Sequence, residues 1–226
     1  MSFHLSIPQL LLVLRGIPLT LELVLVGLIF GLALGCLTAF VRMARVPVLA
    51  QVAALYVYVI RGTPLLVQMF LIYFGLGELD FIRNSMLWPI LREEFWCAVI
   101  ALSINSGAYT SEVIRGGIES VEHGQIEAAT AYGMSRWVRL VRVIIPQALR
   151  QFLPAYGNEC ISIVKASSLA STITVMDVTG IARNLASKTY TPIETFLAAG
   201  LIYLVLNLLI TQILGKAEEK VAGYPR

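Results

Sequence analysis

Apolar and polar residues are not interleaved along this chain. The apolar ones gather in long runs, and the charges collect between them. A helix needs about 20 mostly apolar residues to cross the hydrocarbon core of a bilayer. Runs of that order cover residues 19–41, 53–76, 95–114 and 196–214. A shorter run, 152–164, contains Glu159, stops just before Lys165 and is too short to span by itself. The pattern predicts an all-α membrane protein with five transmembrane helices in a single domain, residues 1–226. A short apolar stretch at 7–14, inside a helix of about residues 5–15, is expected at the membrane interface, ended by Gly16 and Pro18. There is no internal repeat.

The run at 19–41 is longer than the core of a signal peptide, and its positive charges follow rather than precede it, so it predicts a retained helix. Gly27, Gly31 and Gly35 recur in it every four residues. That spacing puts three glycines on one helix face, where a second backbone can approach closely. Packing within the same subunit is the expectation, ahead of a seam between subunits.

Composition narrows the class further. The chain is 58% hydrophobic and 14% charged, with a mean hydropathy of +0.79, outside the range of soluble globular domains. Cys36, Cys97 and Cys160 lie in or beside apolar runs. Their odd number and spacing exclude a disulfide framework and a zinc site. His4 and His123 are too far apart in sequence to suggest a metal cluster. The net charge is only +3, and the basic residues hug the flanks of the apolar runs, so the surroundings are lipid and not nucleic acid.

Those flanks predict orientation. With five alternating helices, ten basic residues fall on one side: Arg42, Arg45, Arg115, Arg136, Arg139, Arg142, Arg150, Lys216, Lys220 and Arg226. Five fall on the other: Arg15, Arg83, Arg92, Arg183 and Lys188. Lysine and arginine accumulate on the cytoplasmic side. The N-terminus is therefore expected outside, with the C-terminus and the central region, about residues 118–150, in the cytoplasm.

The central region reads as two short helices. Residues 125–132 are helix formers, and Gly133 sits where a left-handed cap would end them. Ser135 can cap a second helix running to the residues before Pro146. Glu127 near the start of the first suits the helix dipole, and Ala128, Ala129 and Ala131 make it thin enough to seat in a groove. On these features alone the segment is either a docking helix or an ordinary interfacial hairpin.

Glu127, Ala128 and Ala129, three residues, Gly133, nine residues, then Val143, Ile145 and Pro146 resemble the E-A-A…G…I-x-L-P motif of ABC-importer permeases. Three further stretches resemble the polar amino-acid permeases of the histidine, arginine, glutamine and opine systems. They are Arg61, Gly62, Thr63 and Pro64 with Gln68; Asn105 through Tyr109; and Leu153 through Glu159. The resemblance covers nearly the whole chain. It implies the type I importer permease fold, with Glu127, Ala128, Ala129 and Gly133 in a coupling helix that docks on a cytoplasmic ATPase. It also implies the partners: a second permease subunit, identical or homologous, two ATPase subunits, and an extracytoplasmic binding protein that delivers an amino acid. No Walker-type phosphate loop occurs here. The chain is thus expected to be no enzyme and to hold no cofactor, with ATP and Mg bound by the partner ATPase.

Polar groups at membrane depth are costly unless paired or hydrated, which makes them site candidates. Gln68, Asn105 and Thr110 supply amides and a hydroxyl, for a cavity or for bonds between helices. Arg61 either pairs structurally or meets substrate. Glu159, with Asn158 beside it, either receives the positive end of a substrate or bonds Arg61 or backbone donors. Lys165 and Ser167 are suited to an α-carboxylate. Where relatives suited to basic amino acids carry an acid after the lysine, this chain has Ala166. The expected function is import of polar, basic amino acids or opines across the bacterial inner membrane. The alternative is an ion-coupled carrier or channel with no ATPase.

Overall fold

The computed structural model describes residues 7–44 and 46–222; Arg45, His4 and Arg226 lie outside them. Helix α1 (Ile7–Leu14) passes through a turn at Arg15 and Gly16 into α2 (Ile17–Met43). The two form one apolar stretch, Pro8–Met43, of 36 residues. Pro18 thus opens α2 instead of closing α1, because its missing N–H costs nothing in a first turn. Gly16 is required by a close approach: a Cβ there would stand 2.5 Å from the backbone nitrogen of Val178. The Thr20 hydroxyl accepts from that same nitrogen and donates to the Gly16 carbonyl.

Among the described residues three helices are long and apolar enough to cross a membrane, and two bent pairs bring the number to five. The first bent pair corrects the single helix expected over 53–76. Helix α3 (Pro47–Gly62) ends before Thr63 and Pro64, which are both extended, and α4 (Leu65–Phe70) sets off at 107° to it. Proline excludes its predecessor from helical geometry, so the break is local chemistry. From α4 the chain passes a π-turn (Leu71–Gly75) and a 3-10 turn (Leu76–Glu78). Two one-turn helices, α5 (Asp80–Arg83) and α6 (Trp88–Leu91), then fold the expected loop.

Helix α7 (Glu94–Glu119) runs straight through Gly116 and Gly117, past the end expected at residue 114. Arg115 bonds Glu112 and Glu119 on either side of it, which ties the last turns together, and Gly117 lets the Ala148 carbonyl approach within 3.0 Å of a Cβ position. Helix α8 (His123–Ala131), α9 (Arg136–Arg139), a π-turn (Leu140–Ile144) and α10 (Ile145–Ser167) follow. Pro146 does not stop the helix as expected. A proline ring clashes with the carbonyl four residues earlier, and the wider π-turn relieves this. In it Ile145 bonds the carbonyl of Leu140, five residues back. The short run at 152–164 is consequently part of a helix that continues to a 3-10 turn (Ser168–Ile173). It bends by 47° into α11 (Val178–Thr189). Helix α12 (Pro192–Ala222) closes the chain.

The core lies where α2 crosses α7. Gly27, Gly31 and Gly35 are buried there, facing Leu102, Ser106 and Thr110, so the glycine face packs inside the subunit as expected. A Cβ on Gly31 would come within 2.8 Å of the Ser106 Cβ, and one on Gly35 within 2.7 Å of the Thr110 Cβ. Because both neighbours are themselves Cβ atoms, the helices would have to part. Overpacking of this kind costs typically about 1–3 kcal/mol. Gly35→Ala is expected to lower the thermal unfolding midpoint in detergent, whereas Gly62→Ala, with nothing within 4 Å, leaves it unchanged. Equal midpoints for the two variants would show that the seam tolerates separation.

Candidate functional site

The central hairpin is built by two local devices. Helix α8 ends on Gly133 at φ +73°. Met134 donates to the Ala129 carbonyl at 3.1 Å and Gly133 to the Thr130 carbonyl at 2.9 Å, the paired bonds of a Schellman cap. Ser135 then accepts from the Val138 N–H and starts α9. Arg139 donates to the Thr130 hydroxyl, fastening one helix to the other. Ala129 is buried, while Glu127, Ala128, Tyr132 and Trp137 stand exposed. Glu127 forms no hydrogen bond with its side chain among the described residues, so its carboxylate is presented outward instead of capping α8. The hairpin offers a short, small-residue helix, rigidly terminated, with its outer face open.

The in-membrane candidates divide into three sets. Gln68 and Asn105 meet: the Asn105 amide donates to the Gln68 oxygen at 3.2 Å. The Gln68 amide in turn donates to the carbonyls of Ile60 and Thr63 and to the Thr63 hydroxyl. Those carbonyls belong to the broken end of α3 and lack helical partners. Gln68 therefore closes the 107° bend, and Asn105 holds it from α7. Both amides are committed to the fold in this conformation.

Glu159 forms the second set. It is buried on the α7 side of α10, with its carboxylate turned to the Ser106 hydroxyl without closing a well-formed hydrogen bond. The Ser106 and Thr110 hydroxyls have no partner among the described residues, and both face the glycine seam. Among the described residues no ion pair reaches Glu159; Arg61, its suggested alternative partner, is engaged with Glu112 and Tyr109. Asn158 and Lys165 make the third set, exposed on an adjoining face of α10 with Ser162 between them. Seven residues apart, they share that face. Ser167 is fully buried and donates back to the Val164 carbonyl.

Two clusters escaped the sequence reading. Glu112 on α7 gathers Arg42 of α2, Arg115 at 2.7 Å, and Arg61 of α3 at 3.9 Å. Arg61 also lies over the Tyr109 ring, 5.1 Å from its centroid. The spacing of Glu112, Arg115 and Glu119, three and four residues apart, was the available signal. Asp177 is buried; one oxygen accepts from the Gly180 N–H and caps α11, and the other accepts from the Tyr203 hydroxyl of α12, each at 2.8 Å. Nothing in the linear spacing of Asp177 and Tyr203 announces that pair.

Comparison with known proteins assigns this bundle of spanning and broken helices to a family. Residues 31–222 match the family described as binding-protein-dependent transport system inner membrane component. The chain belongs to this family. It is 49% identical over 205 residues to the octopine transport system permease protein OccM of Rhizobium meliloti, covering 91% of this chain and 84% of that one. It is 46% identical over 214 residues to the nopaline permease NocM of Agrobacterium fabrum, covering 94% and 88%. A solved structure described as an amino acid ABC transporter with histidines superposes with a TM-score of 0.87 at 37% identity, over 97% of this chain and 99% of that one. The permease is thus a membrane transport component of the ABC-importer type, and the ATPase activity of such systems resides in a separate subunit.

The Glu112 cluster lends itself to a direct test. Removing one partner from a partly buried ion network leaves the others uncompensated. Glu112→Gln withdraws the shared carboxylate from Arg42, Arg61 and Arg115, of which Arg115 keeps Glu119. It is expected to destabilise the permease by about 2–3 kcal/mol, visible as a lower unfolding midpoint. Glu119→Gln, at a side chain 62% exposed, should cost well under that. Indistinguishable midpoints would show that Glu112 holds nothing together.

Proposed function

We propose that this permease carries opines or basic, polar amino acids inward, driven by ATP hydrolysis on a partner. The complex would contain a second permease subunit, identical or homologous, two ATPase subunits bearing ATP and Mg, and an extracytoplasmic binding protein. The coupling hairpin carries the reading: Glu127, Ala128, Ala129 and Gly133 lie on a helix whose end is fixed by a left-handed glycine and whose outer face is open. Such a helix can transmit closure of a partner only if it is stiff. The names of the relatives, octopine and nopaline permeases, support the cargo.

Within this reading Glu159 receives the cationic group of the cargo, helped by Thr110 on the facing helix. Asn158, Lys165 and Ser167 belong to the polar side of the path, and Gln68 with Asn105 joins them only when the bend at Thr63 opens. The binding protein and ATPase act alternately, so two conformations of the permease exchange populations.

ATP-driven uptake into proteoliposomes of the assembled complex, with octopine, arginine and glutamine as cargo, tests both parts. Gly133→Val places a β-branched residue at positive φ, costing about 1–2 kcal/mol locally. It should abolish uptake and weaken ATPase association while leaving insertion intact. Glu159→Gln should reduce uptake of arginine roughly ten- to a hundredfold and glutamine less. Normal uptake by Gly133→Val would remove the coupling role, and equal losses for arginine and glutamine would remove Glu159 from the path.

Orientation follows from charge: the N-terminus outside, the hairpin and C-terminus in the cytoplasm. With Cys36, Cys97 and Cys160 replaced by serine, Met86→Cys, at a position 97% exposed, should react with an impermeant thiol reagent added to intact cells. Tyr132→Cys should react only after permeabilisation. The reverse pattern would invert the topology.

A further inference from the structure

Between the 3-10 turn Ser168–Ile173 and α11 lies a cleft of about 290 Å³. One wall carries Arg183, Asn184 and Ser187, which share a face of α11 at three- and four-residue spacing. The other carries Ser171, Thr172 and Thr174. The two walls differ in hydrogen-bonding character: Arg183 and Asn184 bring N–H donors to the first, where Ser187 gives its own proton to the Asn184 carbonyl. Ser171, Thr172 and Thr174 each spend their hydroxyl proton on a backbone carbonyl, so their remaining lone pairs make that wall an acceptor. Arg183 uses one N–H on the Ser171 carbonyl at 3.3 Å, which orients the guanidinium. Among the described residues no carboxylate pairs with it. The Asn184 amide, which has no side-chain partner among the described residues, adds further donors. A donor wall facing an acceptor wall complements a zwitterion.

Two observations show that the cleft is more than a packing gap. It sits at the 47° break of a candidate span. Arg183 and Lys188 stand exposed on α11 and fall in the outer flank by charge, so the break opens on the side from which cargo arrives, and transporters use broken helices to hold substrate groups. Thr174, on the cleft, is held at φ +74°, a strained conformation for a β-branched residue that accumulates at functional sites.

We propose that this cleft binds the α-amino-acid head group, with the α-carboxylate on Arg183 and Asn184 and the α-nitrogen against the hydroxyl wall. Ser171 is twelve residues beyond Glu159, roughly 18 Å along the helix, too far for one amino acid to touch both. The cleft is therefore a separate station. That it precedes Glu159 on the inward route rests on the function and orientation proposed above.

The test uses the assembled complex in nanodiscs without the binding protein, and equilibrium binding of radiolabelled arginine, glutamine and octopine. Arg183→Gln should weaken each ligand that the native complex binds by roughly tenfold or more, the loss of a charge-assisted bidentate contact. Arg183→Lys should restore part of it. Agmatine, which is arginine without its carboxylate, should bind native and Arg183→Gln complexes alike. Asn184→Leu, expected to weaken binding several-fold, provides the same reading should Arg183→Gln fail to assemble. Unchanged affinity in both variants overturns the proposal, as does an equal loss for agmatine. So does a change confined to the concentration of loaded binding protein needed for ATPase stimulation, which would make Arg183 a docking contact. A native complex that takes up none of the three ligands refutes the function instead, whereas normal uptake with normal binding in Arg183→Gln refutes the cleft alone.

Discussion

The close crossing of α2 and α7 is the constraint from which the rest of the subunit is hung. In a bilayer there is no hydrophobic gain in bringing two apolar helices together, since lipid is as apolar as leucine. Contact must come from dispersion between surfaces close enough to touch. Gly27, Gly31 and Gly35 remove the side-chain layer on one helix, and Leu102, Ser106 and Thr110 fill it from the other. Once that seam is fixed, Glu112 stands within reach of Arg42 at the end of α2, and Asn105 within reach of Gln68. The polar contacts register the helices; the glycine face allows them to meet.

Around this seam the chain breaks its spans twice, and each break has its exposed backbone satisfied. At Thr63 and Pro64 the amide of Gln68 covers the free carbonyls of α3. Beyond Ile173 the carboxylate of Asp177 caps α11, and Tyr203 ties that cap to α12. The two breaks differ in consequence. The first is closed over by its own amide, whereas the second leaves a polar cleft where Arg183 holds the Ser171 carbonyl and, among the described residues, meets no carboxylate.

The hairpin and the in-membrane residues act at different ranges. The hairpin needs little from the bundle: its cap, its turn and its Arg139 to Thr130 bond are all local. Glu159 draws its character from the bundle, from burial against α7 with no paired cation among the described residues. The hairpin is joined to the bundle through α9, the π-turn and α10, one continuous helical path from Arg136 to Ile173. Glu159, Ser167 and the wall of the outer cleft lie on that same path.

What the sequence determined by itself was everything set by short-range chemistry or by length. The long apolar runs announced spanning helices, the four-residue glycine period announced a close face, and Gly133 with Ser135 announced the hairpin to the residue. Each rests on an interaction spanning five residues or fewer, or on the thickness of a bilayer. The sequence misjudged proline where a local rule met a local escape: Pro146 ended nothing, because a π-turn absorbed it, and Pro64 broke a run that hydropathy had drawn as one helix. Only the tertiary structure decided which polar residues meet. Gln68 with Asn105, Glu112 with Arg42, and Asp177 with Tyr203 are separated by 37, 70 and 26 positions. Such pairings depend on which helix faces cross and at what height. Those are fixed by the fit of the whole bundle, and no spacing along the chain encodes them.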